Sequence, residues 1–310
     1  MTPLVIAGGD AHPQLAAEVA RLADARLIAD CVSAFADGEA RVFIEDDLAG
    51  ADAYVVQPTP APSGENLMKL VLIADAARAA GAAKVTAVVP YFGFARQDVR
   101  HRAGEPLSMG LAARVLNGAG VDRAVILELH SEAAQSAFTM PLVHLRADEP
   151  VLRAINEWRI CDLVIVSPDA GALKRAQRYA TALAAPLAVV AKTRPGADIT
   201  VATQCLGEVR GRHCLIIDDM ASTGRTAAGA AQALFKAGAR AVDAIFIHAV
   251  MAEGALQRLR AAGIDRLAAT DSLPDTDRCA GLPRIPVARL LARAILQLAG
   301  RTGSGSPLAD

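Results

Sequence analysis

Cysteine is scarce in this sequence, and the few cysteines are placed neither as in a disulfide-linked domain nor as in a zinc-binding one. Five cysteines are scattered over 310 residues, their number is odd, and none forms a Cys-x-x-Cys pair. This spacing predicts neither a disulfide framework nor a thiolate zinc site. We therefore expect a cytoplasmic protein, because thiols stay reduced in the cytosol. The cysteines are Cys31, Cys161, Cys205, Cys214 and Cys279.

An excess of one charge and long apolar runs are also lacking. The 32 basic and 33 acidic residues leave a formal net charge of −1, so no global field attracts nucleic acid. The mean hydropathy of +0.30 comes largely from alanine in helical stretches. No apolar run approaches the roughly 20 residues that span a bilayer, and the N-terminal MTPLVIAGGD lacks the regions of a signal peptide. We expect no membrane, no nucleic acid and no export.

Short β-branched runs alternate with alanine-rich segments of helical spacing. This alternation is typical of α/β domains in which a mostly parallel sheet is flanked by helices. Charge and proline interrupt the pattern near residues 145–150, after which it resumes, so the sequence predicts two similar domains. We place an N-terminal α/β domain at 1–146 and a C-terminal α/β domain at 147–285. A C-terminal helix at 286–300, expected to pack on the first domain, and a disordered polar tail at 301–310 complete the chain.

The clearest elements are seven strands and four helices. The predicted strands are Ala53 to Gln57, Lys84 to Val89, Arg123 to Leu129, Leu163 to Val166, Leu187 to Val190, Cys214 to Ile217 and Ala244 to Ile247. The predicted helices are Asn66 to Ala80, Ser108 to Ala119, Gly171 to Ala184 and Thr226 to Ala237.

Polar side chains follow four of these strands. Ligands of open parallel sheets gather at the carboxyl ends of strands, so we expect ligands at this edge. A set of purely structural strands would not predict such regularity. Taken strand by strand, the residues are His130, then Asp169, then Lys192 with Arg194, then Asp218 with Asp219.

The most specific pattern is HCLIIDDMASTGRTAAGAAQAL, which predicts a buried strand, an acidic pair, a small polar loop and a helix. The loop's backbone N–H groups and its three hydroxyls can surround a phosphate at the positive end of the helix. Asp218 and Asp219 suit the vicinal hydroxyls of a ribose, or a metal held beside it. A tight turn after an acidic strand end is the structural alternative. The loop residues are Ser222, Thr223, Gly224, Arg225 and Thr226.

This loop resembles the phosphoribosyl-diphosphate-binding loop of phosphoribosyltransferases and ribose-phosphate diphosphokinases. Six further segments are similar to motifs of the diphosphokinases, occur in the right order and extend the resemblance to about residues 4 to 295. The resemblance implies two phosphoribosyltransferase-like domains and an enzyme that transfers the diphosphate of ATP to ribose 5-phosphate. The segments are FADGEARV, QPTPAPSGENLMKL, PYFGFARQDVRHRAGEP, LELHSE, VSPDAGALKRA and KTRPG.

The resemblance also implies roles for individual residues. Those matching ATP-binding positions are Phe35, Asp37, Gly38, Glu39, Arg96 and Gln97. His130 and Asp169 match ligands of the Mg²⁺ that accompanies ATP, and Lys192 and Arg194 match the catalytic pair. The ribose 5-phosphate positions are Arg194, Asp218, Asp219 and the loop from Ser222 to Thr226. In the family the two ATP segments come from neighbouring subunits, which implies at least a homodimer, with a hexamer as the larger alternative.

Chemistry alone leaves alternatives open for several of these residues. Mg²⁺ prefers oxygen ligands, so His130 can equally be a structural histidine, and Asp169 can cap the helix predicted from Gly171. A Lys-x-Arg pair such as that at Lys192 is usually a solvated surface pair when taken alone. Arg96 and Gln97 can equally be surface residues at a strand end. The neighbouring aromatic run, Tyr91, Phe92 and Phe94, offers a stacking surface for a base.

Two loop positions depart from the pattern DDxxDTGGT or DDxxDTAGT that is common in bacterial members. Ser222 replaces the third aspartate and Arg225 replaces a small residue. The serine and the KTRPG segment look more like the archaeal-type branch. The resemblance therefore does not imply the usual allosteric control by phosphate and ADP. Arg225 restricts the backbone, or its charge reaches a phosphate. A phosphoribosyltransferase and a catalytically silent regulatory homologue are the alternative functions.

Overall fold

The computed structural model describes residues 2–100, 102–131, 133–193 and 202–301. The chain divides into two compact units. Unit 1 comprises the chain up to Arg146, Ser272–Pro274 and the chain from Val287, and unit 2 comprises Ala147–Asp271 with Asp275–Pro286. Within the described ranges, no helix combines the length and apolar character needed to cross a membrane. The tail predicted as disordered lies, from residue 302 onward, outside the described residues.

Unit 1 is built on a six-stranded parallel sheet with a small antiparallel hairpin beside it. Its strands are β1 (Leu4–Gly8), β2 (Arg26–Ile28), β3 (Val32–Ala34), β4 (Ala40–Val42), β5 (Asp52–Val56), β6 (Lys84–Val89), β7 (Arg123–Leu127) and β8 (Leu142–Leu145). The sheet order is β2-β1-β5-β6-β7-β8, and β3 pairs with β4. Its helices are α1 (Pro13–Leu22), α2 (Ser63–Ala79), α3 (Ser108–Gly118) and, from the end of the chain, α8 (Ala288–Leu298), with a 3-10 turn at Ala133–Ala137.

Unit 2 carries a seven-stranded sheet. Its helices are α4 (Asp148–Trp158), α5 (Leu173–Ala182), α6 (Arg225–Lys236) and α7 (Ala255–Ala261). Its strands are β9 (Leu163–Ser167), β10 (Leu187–Thr193), β11 (Ala202–Leu206), β12 (His213–Ala221), β13 (Ala241–Ala249), β14 (Ile264–Thr270) and β15 (Arg284–Ile285), with a 3-10 turn at Asp277–Cys279. The order is β11-β10-β9-β12-β13-β14-β15, in which only β11 is antiparallel to its neighbour.

Both sheets have apolar strands because helices pack against them. Val55, Val88 and Ile126 in unit 1 are fully buried, as are Ile165 and Ile216 in unit 2. Strands of parallel sheets that are covered on both faces read as continuous β-branched runs. The predicted fold class, α/β domains with mostly parallel sheets flanked by helices, is therefore confirmed.

Helix α8 packs against α1 within unit 1. Leu291 and Ile295, one helical turn apart, are both fully buried. The apolar stripe that they form accounts for the burial of this helix. The last helix of the chain therefore contributes to the core of the unit in which the chain begins.

Several strands end at positions that differ from the predicted ones. Strand β12 continues past Ile217 to Ala221, so Asp218 and Asp219 belong to the strand instead of following it. Its last residues pair with β13, where Ala221 lies opposite Ala249. Strand β7 ends at Leu127, before the predicted Leu129 and not directly before His130. Its end coincides with Glu128, which has a positive φ of 43°.

A buried carboxylate, Asp243, organises the amino end of β13. It is fully buried and accepts hydrogen bonds from Arg266 N (3.0 Å) and Arg266 Nε (2.9 Å). His213 Nε2 lies 2.8 Å from its Oδ2, and the Arg266 guanidinium also stacks on the Trp158 ring at 4.9 Å. Since the register between β13 and β14 shifts between Val242 and Ala244, this network stabilises an irregular part of the ladder.

Asp243→Ala should lower the free energy of unfolding by about 3 kcal/mol, because it leaves Arg266 and His213 without their shared carboxylate. Asp265→Ala is the matched control, since Asp265 is exposed on the next strand and should change stability by about 0.5 kcal/mol or less. Denaturant unfolding of both variants measures the difference. Equal stabilities of the two variants would contradict a structural role for the network.

Candidate active site

The acidic pair lies near the carboxyl end of β12, between β9 and β13. The side chains of Asp218 and Asp219 are only 14% and 7% exposed. The backbone N–H of Asp219 donates a hydrogen bond to Asp218 Oδ1 at 2.9 Å. Burial and the negative charge of Asp219 raise the pKa of Asp218 well above its usual value. Two carboxyl groups are thus held close together at this strand end, where the charged form of Asp218 is disfavoured.

One buried cation faces this acidic pair. Arg175, in the first turn of α5, places Nη1 3.6 Å from Asp218 Oδ1 and 3.8 Å from Asp219 Oδ1. Its positive charge counteracts the rise in the pKa of Asp218. The oxygens of the two carboxyl groups can also accept hydrogen bonds from hydroxyl donors.

Asp169 lies in the turn between β9 and α5. Its Oδ1 accepts hydrogen bonds from the backbone N–H groups of Gly171 (2.9 Å) and Ala172 (3.1 Å), and Ser167 Oγ donates to its carbonyl oxygen at 2.6 Å. These bonds shape the turn before α5, but the helix begins at Leu173, its N-cap residue is Ala172 and it has no side-chain cap, so the alternative of Asp169 as the helix cap is wrong. The negative charge of Asp169 also raises the pKa of Asp218, which makes it part of the same electrostatic cluster.

The predicted phosphate loop connects β12 to α6. Gly224 precedes the helix with a left-handed backbone, at φ 72° and ψ 0°, and Arg225 is the first helical residue. Arg225 is exposed, and its backbone N–H donates to Thr223 Oγ1 at 3.5 Å. Thr226 is the second helical residue. Free N–H groups at a helix start favour an anion there.

A side chain at position 224 would be in tight contact with α7. A Cβ atom built on Gly224 would lie 3.1 Å from both the Ala255 carbonyl oxygen and Leu259 Cγ. The left-handed backbone adds a second reason for glycine at this position. The loop is therefore in tight contact with the helix that follows β13.

The predicted catalytic pair falls at the limit of the described residues. Lys192 belongs to β10, opposite Thr203 of β11, so its backbone is in a strand and not in the loop after it. Its side chain and the whole of Arg194 lie outside the described residues. Both assignments stay predictions.

The first predicted ATP segment forms the tip of the β3–β4 hairpin. Phe35 N–H donates to the Glu39 carbonyl at 2.8 Å, and Glu39 N–H donates to Asp37 Oδ1 at 3.1 Å. Gly38, at φ 92°, donates to the Phe35 carbonyl at 2.9 Å. The Phe35 ring is 52% exposed, with the Arg41 guanidinium 5.7 Å from its centroid. An exposed aromatic ring at a hairpin tip provides a surface on which a base can stack.

The second predicted ATP segment lies between β6 and α3. Ser108 Oγ donates to Gln97 Oε1, which fixes the Gln97 amide at the start of α3. The expected aromatic stacking surface is wrong for Tyr91 and Phe92, which are only 7% and 3% exposed. Phe92 packs edge-on against a core phenylalanine, so its ring fills the interior of unit 1. Phe94 alone of the three is partly exposed, and its φ is 68°.

The two predicted magnesium ligands occur in different units. His130 belongs to unit 1 and is exposed, whereas Asp169 belongs to unit 2. The hydrogen bond at the end of β7 uses another histidine, His144, whose Nε2 accepts from Leu129 N–H at 2.9 Å. Among the described residues, no group of three or more His, Cys, Asp or Glu side chains is arranged to hold a metal ion.

Comparison with known proteins assigns the chain to a family. Residues 4–120 match the N-terminal domain of ribose phosphate pyrophosphokinase, and residues 149–266 match the phosphoribosyl transferase domain. The chain is 38% identical to the ribose-phosphate pyrophosphokinase of Neisseria meningitidis, over 95% of this chain and 91% of that protein. The chain belongs to the ribose-phosphate pyrophosphokinase family. Pyrophosphokinase and diphosphokinase are synonyms, so the family resemblance found in the sequence is confirmed.

Two further relatives of the ribose-phosphate pyrophosphokinase family agree. The ribose-phosphate pyrophosphokinase of Bordetella parapertussis is 38% identical over 97% of this chain and 99% of that protein. The crystal structure of phosphoribosylpyrophosphate synthetase from Mycobacterium smegmatis matches with a TM-score of 0.90 and 36% identity, over 97% of this chain and 100% of that chain. The match therefore extends over both units of this pyrophosphokinase-family chain.

Sequence reasoning missed Arg175, although it lies inside the VSPDAGALKRA segment. The sequence carried a signal for it, because Arg175 shares one face of α5 with the buried residues Ala176 and Tyr179. A charged residue on the buried face of an amphipathic helix requires a partner. In this pyrophosphokinase-family protein, that partner is the acidic pair at the end of β12.

Gly224→Ala should lower the free energy of unfolding by about 1–2 kcal/mol for the left-handed backbone alone, with a further loss from contact with α7. Gly229→Ala is the matched control, because Gly229 is inside α6 and a Cβ there meets nothing within 4 Å. The control should gain about 0.5–1 kcal/mol. Denaturant titration of the two variants tests the opposite signs, and a neutral Gly224→Ala would show that the loop can relax.

Proposed function

We propose that the protein is a Mg²⁺-dependent ribose-phosphate diphosphokinase that transfers the diphosphate of ATP to ribose 5-phosphate, giving phosphoribosyl diphosphate and AMP. The observation that carries the proposal is the continuous arrangement of a buried acidic pair, a short polar loop and a helix start on β12 and α6. The family membership supports the same reaction. The proposal also assigns residues of this chain to the individual groups of the two substrates.

Ribose 5-phosphate is proposed to bind along this strand, loop and helix. Its phosphate accepts hydrogen bonds from the backbone N–H groups of residues 222–226 and from the Thr226 hydroxyl at the positive end of α6. Its hydroxyls face Asp218 and Asp219, which can accept hydrogen bonds. Arg175 holds the two carboxylates within about 4 Å of one cation. The ribose is then oriented at both ends, because hydrogen-bond donors of the loop bind its phosphate and carboxyl acceptors of β12 bind its hydroxyls.

ATP is proposed to contact the hairpin tip of one subunit and the Arg96–Gln97 segment of its neighbour. Phe35 is 52% exposed, and Phe43, just beyond the same hairpin, is 61% exposed. On the neighbouring helix, Met68 is 51% exposed. Burying large exposed apolar side chains against a protein partner is favourable. These side chains support the proposed homo-oligomer, at least a dimer.

Magnesium is proposed to bind with ATP at Asp169 and His130. Asp169 supplies an oxygen ligand of the kind that Mg²⁺ prefers, and the carboxyl groups of Asp218 and Asp219 lie on the neighbouring strand. When bound, Mg²⁺ would neutralise part of the charge on the phosphate oxygens. The Asp169 turn fixes the carboxylate through two backbone N–H groups, so little reorganisation is needed.

In the proposed reaction, the anomeric hydroxyl oxygen attacks the β-phosphorus of ATP. A bond forms between that oxygen and phosphorus, the bond to the oxygen bridging the α-phosphate breaks, AMP leaves, and the hydroxyl proton is released. Such transfers depend on positioning and on neutralising charge at the phosphoryl oxygens. Lys192 and Arg194 are proposed to supply positive charge there.

The reaction is tested directly by ³¹P NMR of the purified protein with ATP, ribose 5-phosphate and Mg²⁺. Equal amounts of AMP and phosphoribosyl diphosphate should form, and omission of Mg²⁺ should stop turnover. A phosphoribosyltransferase would instead consume phosphoribosyl diphosphate in the presence of a base. Absence of turnover together with stable binding to an active synthetase would favour the regulatory alternative and overturn the proposed activity.

Lys192→Ala should lower kcat and kcat/KM together by roughly a hundredfold or more, because the charge is needed most in the transition state. The melting temperature should stay close to that of the wild type. Lys236→Ala removes an exposed lysine from the last turn of α6 and is the matched control. Steady-state kinetics with both substrates measure the effect. Near-normal turnover of Lys192→Ala would refute its assignment as a catalytic residue.

Arg225→Gly should raise KM for ribose 5-phosphate by roughly tenfold, because it removes an exposed cation from the first position of the phosphate-binding helix. Arg225→Gln separates the loss of charge from the added backbone freedom and should give a similar KM. Initial rates at varied ribose 5-phosphate measure both variants. An unchanged KM in both would show that the side chain points away from the substrate.

A further inference from the structure

The segment after β13 holds three consecutive carbonyl groups of the phosphate loop. Met251 N–H donates to the Ala221 carbonyl at 2.8 Å, and Ala252 N–H donates to the Ser222 carbonyl at 2.9 Å. The next carbonyl, of Thr223, accepts from Nη1 of Arg258 in α7. All three acceptors therefore point toward the same neighbouring segment, which comprises residues 251–258.

The direction of these carbonyls fixes the direction of the amides that follow them. In a trans peptide the C=O and the next N–H point to opposite sides of the chain. With the carbonyls of residues 221–223 facing the segment after β13, the N–H groups of residues 222–224 face away from it. Successive N–H groups on one side form an anion-binding concavity. The loop is thus oriented before any substrate arrives.

Of the three hydrogen bonds to the carbonyls of residues 221–223, the one from Arg258 is made by a side chain. Backbone N–H groups hold the first two carbonyls, and they persist whatever the side chains are. The third contact depends on a guanidinium that reaches back from the middle of α7. The Gly224 N–H follows the Thr223 carbonyl directly, and Gly224 is the point at which the chain turns left-handed into α6. Rotation of this peptide would turn that N–H away from its neighbours.

We propose that Arg258 is a positioning residue of the phosphate loop, which holds the Thr223 carbonyl so that the Gly224 amide faces the phosphate of the substrate. The inference rests on the proposed binding of ribose 5-phosphate by residues 222–226. That phosphate does not react, so the loop binds it equally in the ground state and in the transition state. Loss of such uniform binding raises KM and leaves kcat unchanged.

Arg258→Ala tests this role, with Arg260→Ala as the matched control. Arg260 is an exposed arginine on the same short helix, so its removal changes the local charge equally. Arg258→Ala should raise KM for ribose 5-phosphate roughly fivefold, the net effect of one ordinary hydrogen bond, because solvent reaches this contact. Its kcat and its KM for ATP should stay near wild type. Arg258→Lys should restore part of the affinity, and Arg260→Ala should behave as the wild type.

Amide hydrogen exchange separates positioning from direct contact with the phosphate. In the substrate-free protein, amides of residues 222–226 should exchange faster in Arg258→Ala than in Arg260→Ala, because the loop peptide is released. A higher KM with unchanged exchange would mean direct contact and would overturn the positioning role. Unchanged KM and unchanged exchange would overturn it as well. Melting temperatures of all variants identify any general loss of folding, in which case Arg258→Lys carries the test.

Thr226→Ala distinguishes failure of this inference from failure of the proposed site. If Thr226→Ala raises KM for ribose 5-phosphate and Arg258→Ala does not, only the positioning role of Arg258 is refuted. If neither variant changes that KM, the loop is not the ribose 5-phosphate site, and the inference falls with it.

Discussion

Asp218 and Asp219 repel each other across a single peptide bond, and burial strengthens the repulsion because little water screens it. Burial itself and, after it, the negative charge of Asp219 raise the pKa of Asp218. Arg175 of unit 2 places its guanidinium at 3.6 and 3.8 Å from the two carboxyl groups and counteracts this rise. The carboxyl oxygens suit the end of β12 to hydroxyl donors and cations. The neighbouring turn at Asp169 adds negative charge of its own.

The position of the acidic pair depends on how far β12 extends. Its pairing with β13 continues to Ala221, opposite Ala249, so both aspartates are held in a strand. A strand fixes their backbone more firmly than a loop would, and fixed charges stabilise a reacting group without reorganisation. The same pairing brings the start of the next segment beside the loop, where Met251 and Ala252 bond to its carbonyls. Sheet pairing thus sets both the acidic pair and the loop.

Sequence patterns predicted the fold class and the strand-loop-helix of the candidate site, because both depend on local periodicity and on residues adjacent in the chain. Features that depend on pairing between distant segments were not predicted. The extension of β12 requires β13, and the inclusion of Lys192 in β10 requires pairing with β11, which periodicity did not reveal. Tyr91 and Phe92 were misjudged for the same reason, since burial against the core of unit 1 is decided by tertiary packing.

The departures of the loop from the common family pattern become understandable from its backbone contacts. The carbonyls of residues 221–223 are held through backbone oxygen atoms, so the side chain at Ser222 is not required for these contacts. Arg225 occupies a helical position whose side chain is exposed, where a large residue meets no steric barrier. Position 224 has no such freedom, because its φ is 72° and a Cβ would lie 3.1 Å from atoms of α7. Substitutions are therefore tolerated at Ser222 and Arg225, because these contacts of the loop with other elements do not use their side chains. They are disfavoured at Gly224, because a side chain there would press against α7.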